Sequence, residues 1–540
     1  MTASTLGEAS TVAVPLEFNA AVEYIDRPAS EGHGQRTALV CHDAALTYAE
    51  LQQAVNRFAN AIRSLGVEAE QRVAILLPNR PEFVIAFYGT LKAGAVAAPV
   101  SFAVTPREQL FLIGECRARA LVTNEELWAP LRARRNDLPF LRSVILVDGG
   151  NGRSGGELAF DSILGASSSE FAPVTTSRDD AAFWLHTSGS TGTPKWAIHR
   201  HGSMPYSEQL YGRPVIGLGP DDVVFSGSPC FHAYSLGILT YFSFRAGATV
   251  VLSPERTTPA HMFELIERHR VTVFASVPTL YGQMLRLAEN ESPDLSSLRL
   301  CVSAAEALPA ELYRRFCERF GVEILDGIGS TEALHTFISN RQGEVKPGSS
   351  GHSLPGYDID LLDSEGRRVG PGEVGNLWVR GGSLFTGYWH QVEATRRVLC
   401  GEWYSMGDTF VQDEDGYFWY QGRSDDMLRV SGHWVAPAEV EATLLAHPAV
   451  LEAAVVGKRD ADELVKPQAF VVLRDASAAS DELGDALKKH VKASMAAYSY
   501  PRWIEFVSEL PKTATGKIQR FKLREPQGAV STSHRVQKLV

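Results

Sequence analysis

From Thr47 the chain settles into a helical rhythm: Leu51, Val55, Phe58, Ile62 and Leu65 recur at three- and four-residue steps with polar residues between them. That period lays the apolar side chains along one face and predicts an amphipathic helix. Thr47-Tyr48-Ala49-Glu50 in front of it is a capping box, and Gly66 marks the stop. The texture then changes. Residues 73–77 form a continuous apolar run, Pro81–Lys92 returns to helical spacing, Gly94 interrupts, and 96–100 is apolar again. Strand, helix, strand in that order is a βαβ unit, and unbroken apolar strands belong to a parallel sheet covered by helices on both faces.

The pattern recurs further on. Phe183-Trp184-Leu185 runs into a glycine-rich loop, Thr249–Leu252 precedes a helical stretch over 259–270, and Leu312, Phe316 and Phe320 at four-residue spacing precede an apolar strand over 322–325. No internal repeat of fixed period is present. From Val374 short alternating segments take over, such as 409–411 and 417–420 around the turn Asp413-Glu414-Asp415-Gly416, which predicts antiparallel sheet. After Gly422-Arg423-Ser424-Asp425-Asp426 the order becomes helix (437–446), strand (451–456), strand (468–473), helix (481–495), strand (503–507). That is an α+β unit of about 100 residues, an ordinary domain size. Residues 149–156 and 474–480 are polar, small-residue loops, and 525–540 has little to bury and is predicted to be a mobile tail.

Composition narrows the function. The 540 residues imply two to four domains, and 44% hydrophobic with 21% charged residues is the balance of an ordinary globular protein. With Lys+Arg 52 against Asp+Glu 63, the net charge of −11 argues against a nucleic-acid binder, which needs a basic footprint. The six cysteines stand far apart with no CxxC pair, which fits a reducing cytoplasm. Residues 1–15 lack the basic start and apolar core of a secretory signal. The most apolar stretch, 73–104, is broken by Pro78, Arg80, Pro81, Glu82 and Lys92, so no membrane span is expected.

Candidate chemistry gathers in loops. Thr187-Ser188-Gly189-Ser190-Thr191-Gly192-Thr193-Pro194-Lys195 follows an apolar strand, and its hydroxyls, glycine-exposed amides and lysine can wrap phosphate oxygens. Its spacing is neither the Walker A loop nor the dinucleotide GxGxxG; alone it is equally a flexible surface turn. Asp326-Gly327-Ile328-Gly329-Ser330-Thr331-Glu332, again read as following an apolar strand, can hold a divalent cation against a phosphate. A capped strand-to-helix turn would read the same way. Asp408 after Gly407 and Arg423 after Gly422 are, singly, turn or salt-bridge residues. Pro511-Lys512-Thr513-Ala514-Thr515-Gly516-Lys517 is a further hydroxyl-and-glycine loop with a lysine.

Together, from Thr47 to Arg524, the order and spacing of these segments resemble the acyl-activating, adenylate-forming superfamily of acyl-CoA ligases, carrier-loading adenylation domains and luciferases. Within it, Asp326 to His335, Ile338-Ser339-Asn340 and 511–525 are similar to the benzoate-CoA ligase branch, anthranilate-CoA ligases included. The resemblance implies an α/β fold: a large N-terminal domain (1–424) of two α/β subdomains and a small β-barrel, a mobile C-terminal α+β domain (425–530), and a tail (531–540). It implies an AMP-forming acid–thiol ligase using ATP, Mg²⁺ and coenzyme A on a benzoate-type acid. The alternative is a free-standing adenylation enzyme that loads an aryl acid onto a carrier protein. A catalytically silent nucleotide-binding protein of the same fold is disfavoured by retention of Lys195, Glu332, Asp408, Arg423 and Lys517. Neither nucleic acid nor membrane is an expected partner; a carrier protein and a second copy of the chain stay open.

The residue roles are likewise those the resemblance implies. Thr187, Ser188, Gly189, Ser190, Thr191, Gly192 and Lys195 hold the β- and γ-phosphates, Thr331 touches the α-phosphate, and Glu332 helps hold Mg²⁺. Asp408, assisted by Arg423, takes the ribose hydroxyls, while Asp326 faces the adenine amino group in a nucleotide site shared with Ala305, Glu306, Gly327 and Ile328. Lys517 bridges the acid's carboxylate and the α-phosphate, and the catalytic set is Lys517, Thr331, Glu332 and His232. Asp425 is the hinge, and Ser431, Gly432 and His433 line the pantetheine tunnel. Phe231, Ala233, Tyr234, Ala304, Gly329 and His335 line the acyl pocket, where small residues leave a flat slot for a ring and Tyr234 and His335 offer polar contacts. Without the resemblance, Tyr234 reads as a satisfied core aromatic and His335 as a helix-surface histidine. Four positions depart from the pattern: His232 stands where benzoate ligases have Phe, Ala305 where they have Gly, and Ile328 and Trp196 where the wider family has Tyr and Gly. The first two change polarity and volume near the ring, which makes a ring substituent credible: anthranilate first, then hydroxybenzoates, with benzoate open.

Overall fold

The computed structural model describes residues 12–148, 156–188, 194–423, 426–430, 433–460, 464–495, 499–512 and 518–524. Residues 149–155 of the predicted loop 149–156, and the predicted tail from 525, lie outside these. At Thr47 the capping box forms, with the hydroxyl accepting from Glu50 N at 3.2 Å and the Glu50 carboxylate accepting from Thr47 N at 2.8 Å. Helix Tyr48–Ser64 follows, burying Leu51, Val55, Phe58 and Ile62, and Gly66 at φ 75° ends it. The βαβ unit is strand Arg72–Leu76, helix Pro81–Lys92 and strand Val96–Pro99, the strands parallel with Val73 opposite Ala97.

This unit lies inside a seven-stranded sheet ordered Leu158–Ala159, Ser143–Leu146, Ala120–Thr123, Arg72–Leu76, Val96–Pro99, Ala181–Ser188, Pro194–Arg200. All pairings are parallel except the last, an antiparallel hairpin. A nine-stranded sheet runs His352–Ser353, Thr336–Ser339, Ile324–Gly329, Leu300–Ser303, Val273–Ser276, Val223–Ser226, Thr249–Leu252, Thr37–Cys41, Ala44–Thr47. Its middle is parallel and both ends turn antiparallel. A five-stranded sheet follows where the barrel is expected, formed by Asp358–Leu362, Val374–Arg380, Leu399–Cys400, Trp403–Gln412 and Phe418–Arg423. Strand Val374–Arg380 alternates buried and half-buried side chains, as the period of two predicts.

The chain divides into two compact units, one built from the residues up to Met406 with Phe410–Trp419, the other from Gly407–Thr409 and the chain from Tyr420 onward. The second unit contains the predicted series: helix Pro437–Leu445, strands Val450–Arg459 and Val465–Leu473 paired antiparallel, helix Asp481–Ser494, and strand Trp503–Phe506 parallel to Val465–Leu473. Its core is aliphatic, with Val440, Leu444, Val455, Val471, Leu487 and Val491 buried together. Among the described residues no helix is long and apolar enough to cross a membrane, and the six cysteines are free thiols.

Two sequence expectations are corrected by the strands. The run 322–325 was expected to end before Asp326, but the strand is Ile324–Gly329 and includes Asp326, Gly327, Ile328 and Gly329. Ser303 and Asp326 pair in parallel; then Gly327 and Gly329 pair antiparallel with Ser339 and Thr336. Glycine is required there by contact, because a Cβ on Gly329 would stand 2.5 Å from His335 O and one on Gly327 2.8 Å from Ile338 O. No helix follows Glu332; residues 330–334 turn back into strand Thr336–Ser339. Likewise the strand after Ala181 runs through Ser188 and returns as Pro194–Arg200, with Thr187 opposite Lys195. Lys195 therefore stands on a return strand, while residues 189–193 of the glycine-rich segment lie outside the described residues.

Candidate active site

The hairpin and the 330–334 turn meet through two side chains that sequence reasoning did not single out, Tyr388 and His199. Lys195 Nζ lies 5.2 Å from the centre of the Tyr388 ring, and Tyr388 Oη donates to Glu332 Oε1 at 2.6 Å. His199, two strand positions beyond Ala197, hydrogen-bonds through Nε2 to Thr331 O at 2.8 Å. Burial pushes the His199 imidazole down to about 4, so it is neutral, with its proton on the nitrogen facing the carbonyl. Phe385 N donates to Glu332 O at 2.8 Å. Lys195, Thr331 and Glu332 are thus held together, with Glu332 only 7% exposed. Gly189, Ser190, Thr191 and Gly192 lie outside the described residues, and Ser188 is described in its backbone alone.

Asp326 sits at the C-terminal end of the parallel part of its strand, where such sheets open their ligand crevice. Its carboxyl accepts from Ser303 Oγ at 2.7 Å and is 5% exposed. Burial raises its pKa from 3.8 to about 8, with the Ser303 hydroxyl and Leu308 amide opposing. Ala304 is buried, while Ala305 is exposed and holds φ 76°, a left-handed conformation that suits glycine, the residue usual there in benzoate ligases. The Glu306 carboxylate faces helix Pro278–Leu287, accepting from Thr279 N at 3.1 Å and Thr279 Oγ1 at 2.7 Å. Ile328 pairs opposite Ile338.

The expected acyl-pocket residues come from the short helix Ala233–Leu236 and the residues leading into it, from the C-terminal ends of strands Leu300–Ser303 and Ile324–Gly329, and from His335 just after the 330–334 turn. Phe231 stacks on His186 at 6.1 Å and 20°, and meets Phe102 edge-on at 5.2 Å. His232, half-buried, leads into the helix beside Phe231, ring centres 4.3 Å apart. Ala233 is buried. Tyr234 Oη donates to Val302 O at 2.8 Å, with Ser276 O at 3.3 Å. His335 is on no helix surface. It is 3% exposed, with Nε2 on Tyr234 O at 3.0 Å and Nδ1 on Thr336 Oγ1 at 3.1 Å. Burial holds it near 4, so a neutral ring donates through Nε2 and accepts at Nδ1. A Cβ on Gly237 would stand 2.5 Å from His335 Cδ2, so glycine there lets the ring pack. The hydroxyl of Tyr234 and both nitrogens of His335 are therefore already partnered inside the protein.

His186 is the other unforeseen side chain. Its Nε2 accepts from Ser101 N at 3.1 Å, and its ring meets Trp196 edge-on at 5.5 Å. Trp196 is 1% exposed and donates Nε1 to Leu112 O at 3.3 Å, so the departure from glycine fills core. The buried position of His199 was readable from strand alternation with Ala197; Tyr388 had no sequence signal.

In the second unit, Asp408 is 5% exposed and pairs with Arg423 Nη1 at 3.1 Å. Gly407 at φ 75° and Gly422 at φ 133° shape the two backbones that present them. Lys517, Asp425, Ser431 and Gly432 lie outside the described residues, and His433 is described only as backbone of strand His433–Val435. Among the described residues no three His, Cys, Asp or Glu side chains converge as a metal site.

Comparison with known proteins places this geometry. Residues 26–389 match the AMP-binding enzyme family and residues 439–517 the AMP-binding enzyme C-terminal domain. The chain is 43% identical to the benzoate–CoA ligase of Thauera aromatica, over 95% of this chain and 97% of that one. It is 40% identical to the 4-hydroxybenzoate–CoA/benzoate–CoA ligase of Rhodopseudomonas palustris, over 94% of each. Among solved structures it resembles the anthranilate CoA ligase AuaEII in complex with anthranoyl-AMP, with a TM-score of 0.90 and 40% identity over 95% of this chain and 97% of that one. The benzoate CoA ligase from Burkholderia xenovorans LB400 gives a TM-score of 0.85 and 41% identity, over 94% of this chain and 100% of that one. With two thirds of its length matched by one family and relatives above 40% identity along almost all of it, the chain belongs to the AMP-binding enzyme family.

Proposed function

We propose that this protein is an ATP-dependent aryl-CoA ligase that converts a benzoate-type acid to its CoA thioester through an aryl-AMP intermediate, releasing pyrophosphate and then AMP. The observation that carries the reading is identity of 40–43% to aryl-CoA ligases along nearly whole chains, together with retention of Lys195, Thr331, Glu332, Asp408, Arg423 and Lys517. A carboxylate does not acylate a thiol because its oxygen leaves poorly. One carboxylate oxygen first attacks the α-phosphorus of ATP while the bond to pyrophosphate breaks; the CoA sulfur then attacks the acyl carbon, AMP departs, and the thiol proton is lost. The protein supplies position and charge.

In this reading residues 187–192 and Lys195 hold the β- and γ-phosphates and Thr331 the α-phosphate. Mg²⁺ fits the donor set at Glu332, one buried carboxylate beside a hydroxyl, because that ion takes few protein carboxylates plus phosphate oxygens, whose charge it would neutralise. Tyr388 and His199 fix the 331–332 segment in place. Asp326, Ala305, Glu306, Gly327 and Ile328 bound the adenine, and Asp408 with Arg423 takes the ribose. Phe231, Ala233, Tyr234, Ala304, Gly329 and His335 bound the ring, and His232 stands at its polar side, which favours an amino or hydroxyl substituent and puts anthranilate first. Lys517 serves adenylation. Rotation of the 425–530 domain about Asp425 withdraws it and brings Ser431, Gly432 and His433 to the pantetheine, leaving 1–424 as the nucleotide and acid domain and 531–540 as a tail. Six free thiols fit a reducing cytoplasm.

The test is pyrophosphate release with MgATP across benzoate, anthranilate, the hydroxybenzoates, cinnamate and medium-chain fatty acids, each with and without CoA, with products identified by mass. An aryl-CoA product with one preferred ring is expected. Aryl-AMP that accumulates and ignores CoA would move the assignment to carrier loading, and a fatty-acid preference would overturn the pocket.

A further inference from the structure

A cavity of about 270 Å³ on the first unit is walled by Gln71, Arg72, Arg117, Arg119, Phe140 and Arg142. Arg72, Arg119 and Arg142 stand at the N-terminal ends of three neighbouring parallel strands, Arg72–Leu76, Ala120–Thr123 and Ser143–Leu146. Their backbones are joined in sequence, Arg119 N to Arg72 O at 2.8 Å and Arg142 N to Arg119 O at 2.9 Å. Arg117 enters from just beyond helix Pro106–Glu115, in a left-handed conformation at φ 52°. Three strand ends and a helix end thus deliver four cations to one rim.

Part of this has an ordinary explanation. Arg72 donates Nε to Cys116 O at 2.7 Å and Nη1 to Glu70 O at 3.0 Å, so carbonyl oxygens, one of them closing a helix, hold it. Arg117 stacks on Phe140 at 5.4 Å and Trp389 at 5.8 Å. Gln71 is engaged with Glu68. The rest is unbalanced. Among the described residues no carboxylate comes within salt-bridge range of any of the four arginines, and the guanidiniums of Arg119 and Arg142 meet no acceptor. Arg119 Nε is buried without a partner. Like charges gathered this way repel, and a buried donor without an acceptor is costly; one multiply charged anion relieves both.

We propose that this cavity binds a small anion carrying two or more phosphate groups. Guanidinium forks match phosphate oxygens two at a time. The volume suits a compact ligand, and Phe140, 47% exposed, gives one apolar wall. The site is separate from the phosphate-binding hairpin. Strand Ala181–Ser188 runs parallel to Val96–Pro99, and that strand to Arg72–Leu76, so Ser188 stands at the C-terminal end of the parallel strands and the arginines at their N-terminal end.

The test is calorimetric titration of the full-length protein with inorganic tripolyphosphate at constant ionic strength, in wild type, R119Q/R142Q and K195A. R119Q/R142Q is expected to weaken one site at least tenfold, and K195A to leave that site unchanged. Identical titrations of wild type and R119Q/R142Q would overturn the proposal, as would loss of all binding in K195A. R142Q alone, at an exposed position, carries the same test with a threefold or greater loss expected if the double variant does not fold. A parallel titration with a sugar bisphosphate separates the sources: tighter binding than tripolyphosphate assigns an organic phosphate ester, weaker binding an inorganic oligophosphate.

Discussion

Tyr388 and Glu332 are 56 residues apart in the chain and 2.6 Å apart in the molecule. A hydrogen bond to a buried carboxylate contributes about 1.5–3 kcal/mol, so Tyr388→Phe, which keeps the ring under Lys195, should lower kcat/KM for adenylation roughly ten- to hundredfold. Pyrophosphate exchange driven by the acid measures it; an unchanged rate would show that Tyr388 does not position Glu332 for catalysis. Asp326 carries a pH signature. Its carboxyl is raised from 3.8 to about 8, so the native state keeps a proton that the unfolded chain releases, and stability is lost as pH rises through that window. Asp326→Asn, neutral throughout, should gain stability relative to wild type between pH 5 and pH 8 in urea unfolding; a constant difference would show that the carboxyl does not titrate there. At Ala305, φ 76° costs a side chain about 1–2 kcal/mol, while glycine returns part of that through unfolded-chain entropy. Ala305→Gly should stabilise by up to about 1 kcal/mol, seen as a raised Tm.

At the scale of elements, the hairpin Ala181–Arg200 does two jobs. The glycine-rich sequence between its two strands is the proposed phosphate cradle, and its return strand carries Lys195 toward Tyr388, Trp196 into the core and His199 to Thr331. Trp196 packs with Trp128, Trp184 and Leu112 beneath the sheet. Trp196→Gly, the residue usual in the wider family, should cost about 3–5 kcal/mol because the emptied volume cannot collapse around a strand, whereas Trp196→Phe should recover more than half of it in chemical denaturation. An equally mild effect of both would mean that the sheet repacks. The strand Ile324–Gly329 shows why the site was only partly legible at this scale. Its Asp-Gly-Ile-Gly composition reads as a loop, yet the antiparallel pairing with Thr336–Ser339 makes it strand, and a glycine that looks like flexibility is close backbone contact.

For the whole molecule the proposed cycle needs one unit to serve two reactions. Lys517→Ala should slow adenylation by about a hundredfold or more, the scale of losing a positioned charge at a developing anion, while thioester formation from supplied aryl-AMP stays within about threefold of wild type. Single-turnover assays of each half-reaction decide it, and equal losses would remove Lys517 from its role.

By itself the sequence determined the periodic elements, their order, and the separate α+β unit. Capping boxes, apolar period and glycine stops act over a few residues, and Tyr48–Ser64, Pro81–Lys92 and Asp481–Ser494 formed where those signals lay. It also placed the family, because Thr331, Glu332, Asp408 and Arg423 keep their residue types and spacing. The tertiary structure alone decided which groups face which: His335, read from sequence as either a pocket residue or a helix-surface ring, is buried and doubly partnered, Tyr388 joined Glu332, and four arginines scattered over 71 positions met at the N-terminal ends of the parallel strands. Those contacts depend on strand order and register, which join residues far apart in the chain, and no local pattern of hydrophobic and polar positions encodes them.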